Sequence, residues 1–124
     1  MSEEQRQAVT ITIDMKKYRL RVHKEMLHLL GDPPYIQLLV NPVDKLVAIR
    51  AMERGTRDNA VHKVNASQLL SDFSIELYSR KFIIQLCEMA GIQDACPLYH
   101  MNGNVLMTQK VAVFSANTLR PLKK

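Results

Sequence analysis

Five basic residues, Lys16, Lys17, Arg19, Arg21 and Lys24, fall within nine positions of one another. Arg19 and Arg21 are two apart, so on a β-strand they project to the same side. Lys24 then stands where the chain changes to a helical pattern. A strip of this kind can span neighbouring phosphates on a polyanion. The same strip also suits a solvated strand face, where charge guards an edge against aggregation. A second basic group, Arg50, Arg54 and Arg57, runs from the end of an apolar segment into a polar one.

Other chemistry has little support. His23 and His28 are five apart, which does not bring them together on one helix face as a spacing of four does. His62 and His100 are isolated, and Cys87 and Cys96 have no paired Cys or His nearby. No metal site is expected. The four glycines are scattered, so no Gly-rich phosphate loop is present. The carboxylates Asp32, Asp44, Asp58 and Asp94 sit among turn residues, where capping and solvation account for them. No catalytic residue and no cofactor are assigned, and the chain is expected not to be an enzyme. Cys87 lies near the C-terminal end of a predicted helix, whose dipole disfavours a thiolate.

The elements that position these residues follow from periodicity. Val9, Ile11 and Ile13 alternate with Thr10, Thr12 and Asp14, which predicts a strand after a frayed tail over residues 1–7. Residues 15–17 break it. A second strand follows, with Tyr18, Leu20 and Val22 on one face and Arg19 and Arg21 on the other. Residues 23–30 carry helical spacing through Met26, Leu29 and Leu30. Gly31 is the expected left-handed cap, and Pro33-Pro34 stops continuation. Two apolar runs, residues 35–40 and 46–52, flank the turn residues 41–45 and predict a β-hairpin. Both faces of that hairpin are apolar, which suggests burial in a central sheet or an oligomer interface.

Residues 53–63 are polar and predict a surface loop. Residues 64–78 give no clear pattern, with short strands possible at Val64 or over 75–78. Ser79 is a candidate N-cap for the clearest helix, in which Phe82, Ile83, Leu86, Met89 and Ala90 form an apolar stripe ending at Gly91. Residues 98–101 and 104–107 around Asn102-Gly103 predict a hairpin with a two-residue turn. Residues 110–115 predict a last strand before a basic tail.

The order strand, helix, Gly, strand, strand thus occurs twice, over residues 19–52 and 76–115. A basic residue enters each helix: Lys24 in the first, Arg80 and Lys81 in the second. The 124 residues suit one domain, 1–124, and 47% are hydrophobic, which suits a folded core. The expected class is α+β: a small mixed domain of β-hairpins and two helices, organised as two repeats of similar order. The net charge of +5 is compatible with a nucleic-acid partner. No apolar run is long enough for a membrane span. The polar N-terminus lacks the apolar core of an export signal, so a cytoplasmic location with reduced thiols is expected.

The segment Leu20-Arg21-Val22-His23-Lys24-Glu25-Met26-Leu27-His28-Leu29-Leu30-Gly31 resembles the opening of AbrB-type, swapped-hairpin transcription regulators. Those proteins show a strand, Lys-Glu, a short helix ending in Leu-Gly, and a hairpin. Two such units in one chain make the MraZ-like arrangement the nearest comparison. His23 replaces the usual Pro, and Asp32-Pro33-Pro34 replaces the usual Gly-Asp. The resemblance implies an intertwined homodimer or higher oligomer. It also implies contact with duplex DNA phosphates through Arg19, Arg21 and Lys24, with Lys16, Lys17, Arg50 and Arg54 as further basic contacts. The alternative is a non-enzymatic oligomeric interaction or assembly module built on the apolar hairpin.

Overall fold

The computed structural model describes residues 5–56, 61–64, 74–92 and 97–122. It is mixed α+β but mostly sheet. Among the described residues nine strands form one antiparallel sheet that curls into a nearly closed barrel, ordered β5-β3-β4-β8-β7-β1-β2-β6, with β9 also pairing β7. The strands are β1 (Arg6–Asp14), β2 (Arg19–His23), β3 (Tyr35–Asn41), β4 (Leu46–Met52), β5 (Val61–Lys63), β6 (Ser74–Tyr78), β7 (Leu98–Leu106), β8 (Val111–Ser115) and β9 (Arg120–Pro121). Helix α1 (Lys24–Leu29) follows β2, and helix α2 (Arg80–Ala90) follows β6.

Alternation sets the inner face. Ile11, Ile13, Leu20 and Val22 from β1 and β2 are fully buried, as are Met101 and Val105 from β7 and Ala112 and Phe114 from β8. Met26, Leu27 and Leu30 bring the first helical turn pair into the same cluster, and Phe82, Ile83 and Leu86 bring α2. Ser79 caps α2 through its hydroxyl, which accepts from the Phe82 N–H at 3.3 Å. Gly91 ends that helix at φ +68°, and Gly31 follows α1 at φ +88°.

Three hairpins close with four-residue turns whose last residue is left-handed: Tyr18 (φ 50°), Lys45 (φ 56°) and Lys110 (φ 55°). In the first turn Asp14 Oδ1 accepts from the N–H groups of Lys16 and Lys17 at 3.0 and 3.1 Å. In the second Asn41 Oδ1 accepts from Val43 and Asp44 at 3.1 and 3.2 Å. Both are local side-chain bonds that shape a turn before the strands pair.

Several sequence expectations need correction. Asn102-Gly103 is not a turn: β7 runs through it for nine residues, and the turn falls at residues 107–110. Gly103 is required for space, because a Cβ there would lie 2.2 Å from the Val113 carbonyl oxygen and 2.5 Å from the Phe114 ring. Tyr18 is not a core residue of β2; it occupies the left-handed turn position and is exposed. The polar segment 53–63 is not all loop, since β5 pairs β3 with Tyr35 opposite Lys63. The hairpin β3–β4 takes the first of its two expected places, inside the sheet. Ile36, Leu38, Val47 and Ile49 point into the core, and β5 and β8 of the same chain cover its two edges.

The β2–β6 ladder sets the site described below. Its five paired positions run from Arg19 opposite Tyr78 to His23 opposite Ser74, with Arg21 opposite Glu76 at the centre.

Candidate nucleic-acid interface

The outer face of β2 carries Arg19 and Arg21, as the alternation requires, with Leu20 and Val22 turned inward. The two arginines are not equivalent. Arg19 Nη2 lies 3.0 Å from Asp14 Oδ2, and its Nη1 lies 2.9 Å from Glu76 Oε2. Only 18% of its side chain is exposed, so Arg19 is largely consumed by carboxylates on the strands either side. Arg21 Nη2 makes one longer contact, 3.3 Å to Glu76 Oε1, and 44% of its side chain remains exposed.

The carboxylates are held in their charged forms. Burial would raise the Asp14 pKa, but the Lys17 N–H, the Arg19 guanidinium and the Lys16 N–H outweigh it and leave it below the ordinary 3.8. Burial acts the same way on Glu76. The Tyr78 hydroxyl and the two arginines prevail there and bring its pKa below 4.5.

Lys16 and Lys17 are exposed on the β1–β2 turn and form no ion pair among the described residues. With Thr12, Asp14, Arg19 and Arg21 they line one side of a cleft of about 440 Å³. Pro97, Leu98 and Leu122 form its apolar wall, and the Leu122 N–H donates to the Leu98 carbonyl at 2.9 Å.

Pairing of β2 with β6 adds residues that lie far away in sequence. The Ser79 N–H donates to the Tyr18 carbonyl at 2.9 Å, which docks the start of α2 beside the β1–β2 turn. Arg80 places its guanidinium 5.3 Å from the centroid of the Tyr18 ring, a cation–π contact. Lys81 is exposed on the next position. Tyr78, on the outer face of β6, is 59% exposed. Arg80 and Lys81 were legible in the sequence only as basic residues entering a helix. The place of Arg80 beside the β1–β2 turn depends on a ladder between segments 55 residues apart, and no local pattern reports it.

The remaining basic residues are elsewhere. Lys24 begins α1 at the far end of β2 from Lys16 and Lys17, roughly 16 Å along the strand direction at 3.3 Å per residue. Arg50 lies on β4, four strands from β2 around the sheet. It donates to Gln37 Oε1 at 2.6 Å and to Met52 Sδ at 3.6 Å. Arg54 is exposed beyond β4. Arg57 and Cys96 lie outside the described residues. The expected strip is therefore a compact group of Lys16, Lys17, Arg19 and Arg21, which Arg50 and Arg54 do not join.

Among the described residues no three His, Cys, Asp or Glu side chains gather as a metal site would require. His28, in the last turn of α1, pairs instead with Asp32 just beyond the end of that helix. The Cys87 thiol is pushed up by burial, away from reactivity, and its Sγ lies 3.3 Å from Met15 Sδ. Among the described residues no helix is long and apolar enough to cross a membrane.

Comparison with protein-family models, with curated proteins and with solved structures finds no match to this chain.

Proposed function

We propose that this chain is a nucleic-acid-binding protein that holds phosphates on the face built from the β1–β2 turn, β2, β6 and the start of α2. One observation carries the reading. Lys16, Lys17, Arg19, Arg21, Arg80 and Lys81 lie on the β1–β2 turn, β2 and the start of α2, and the carboxylates paired with them among the described residues are Asp14 and Glu76. Arg19 braces the two carboxylates; Lys16, Lys17, Arg21, Arg80 and Lys81 remain to meet phosphates. Regulation of transcription on duplex DNA is the role that the resemblance to swapped-hairpin proteins implies.

The connectivity supports that resemblance. The unit β1-β2-α1-β3-β4 is followed by β5-β6-α2-β7-β8. Each half lends its first strand to the other: β1 pairs β7, and β5 pairs β3. The second hairpins meet with matching register. Lys45 O accepts from Ala116 N at 2.8 Å, and Lys110 O accepts from Ala51 N at 3.0 Å, positions shifted by 65 residues in both cases. We infer two related halves, strand-swapped within a single chain. The covering of the apolar hairpin that would otherwise come from a partner is then internal.

Fluorescence anisotropy with a labelled DNA duplex at several salt concentrations tests the binding. Phosphate neutralisation makes affinity fall steeply with salt. Replacing Lys16 and Lys17 together by Gln should weaken binding across unrelated sequences and reduce the salt slope by about two. An absence of salt-dependent affinity for any nucleic acid would remove the proposal.

A further inference from the structure

Tyr78 is the most exposed aromatic ring of the described residues, and it stands inside the cationic group. Its position is fixed at the tip. The hydroxyl donates to Glu76 Oε2 at 3.1 Å, and the same carboxylate receives Arg19 at 2.9 Å and Arg21 at 3.3 Å. The strand orients the ring outward and Glu76 holds it, while 59% of the residue stays open to solvent. A buried structural tyrosine would do the opposite, hiding the ring and exposing the hydroxyl. Cations lie on both sides. Arg19 is its ladder partner on β2, and Arg80 and Lys81 follow two and three residues later. Beyond Arg80 lies Tyr18, a second exposed ring, with Lys16 and Lys17 on the same turn.

An ordered, exposed ring framed by phosphate-binding cations matches the chemistry of a single strand. Bases of a closed duplex are stacked on one another and offer no face to such a ring, whereas an unstacked base does. We propose that Tyr78 is a stacking platform for an unpaired base, and that this face binds single-stranded nucleic acid in preference to a closed duplex. The proposal rests on the phosphate-binding role assigned to the same face.

The test compares labelled dT15 with a 15-base-pair duplex by anisotropy at two salt concentrations, using the full chain. Stacking contributes about 1–3 kcal/mol per base. Tyr78→Leu should therefore weaken dT15 binding by about tenfold while leaving its salt slope and the duplex affinity within twofold. Tyr78→Phe, which keeps the ring and loses the hydroxyl, should retain most of the affinity. Circular dichroism melts of both variants check that the fold is intact. If dT15 binds with a steep salt slope but Tyr78→Leu changes nothing, or if the duplex binds more tightly than dT15, the stacking proposal fails and phosphate binding stands. If neither nucleic acid binds, both fail together.

Discussion

Replacing Gly103 by alanine would place a methyl carbon 2.2 Å from the Val113 carbonyl oxygen and 2.5 Å from the Phe114 ring. Ordinary contacts are longer by an ångström or more, and neither neighbour can yield. The carbonyl belongs to β8, whose register with β7 is fixed by pairs from Gly103–Phe114 to Leu106–Val111. Phe114 is wholly buried in the core. Overpacking of a filled core costs about 1–3 kcal/mol, and more where backbone must shift. We expect Gly103→Ala to lose about 3 kcal/mol in urea unfolding and to melt about 10–15 °C lower, a large part of the 5–15 kcal/mol typical of a domain. Gly91→Ala is the comparison: nothing lies within 4 Å of its Cβ position, and the cost comes only from φ +68°, about 1 kcal/mol. Gly103→Asn separates space from conformation, because Asn tolerates a left-handed turn but is bulkier than Ala. It should be worse than Gly103→Ala. A Gly103→Ala loss under about 1 kcal/mol, or a well-tolerated Gly103→Asn, would refute the close-packing account.

Two further predictions concern ionisable groups. His62 faces inward beside Ile36, its buried Nε2 has no hydrogen-bond partner among the described residues, and burial lowers its pKa below 6.5; the unfolded chain therefore binds the extra proton first, and stability falls as pH drops below about 6.5. His62→Leu should raise stability by about 1 kcal/mol at pH 7.5 and by more at pH 5.5, and urea titrations showing a loss at both values would contradict this. Asp14→Asn should cost about 2 kcal/mol at pH 7, the scale of hydrogen bonds to a charged group. Because the folded pKa of Asp14 lies below 3.8, the wild-type advantage is present above that pH and disappears as pH falls through the folded value; a gap unchanged from pH 7 to pH 2.5 would show that the carboxylate charge is irrelevant.

The elements that depend on neighbouring residues were legible in the sequence. The alternation of Val9, Ile11 and Ile13, the stripe through Phe82, Ile83 and Leu86, and the caps Ser79 and Gly91 each report a local periodicity or a single backbone conformation. The hairpin at residues 35–52 is written in the same way. What escaped depends on distant chain. Asn102-Gly103 has the residues of a tight turn, yet β1 pairs with β7 along all nine positions and holds it straight. Three residues of β5 carry too little pattern to stand apart from the loop around them, and only their ladder with β3 defines them. The charged face follows the same division. Alternation correctly turned Arg19 and Arg21 outward. It could not show that Glu76, on a strand far along the chain, would join Asp14 in pairing with Arg19 and would also reach Arg21, nor that Arg80 and Tyr78 would arrive with it.

The centre of the β2–β6 ladder has a consequence for the two-halves proposal. When two identical chains meet about a two-fold axis, the residue on the axis faces its own copy. An arginine there would face an arginine, and like charges directly opposite on paired strands repel. In this chain the two sides of the central pair differ: Arg21 stands on one half and Glu76 on the other. A pair of identical chains cannot divide its axis in this way, whereas two halves joined in one chain can, because each half is then free to change alone. Once the charges have diverged, either half is a poorer match for a second copy of itself than for its complement. On that proposal, the same divergence leaves Arg21 on β2 and Glu76 on β6, so the two halves carry opposite charges at the position they share.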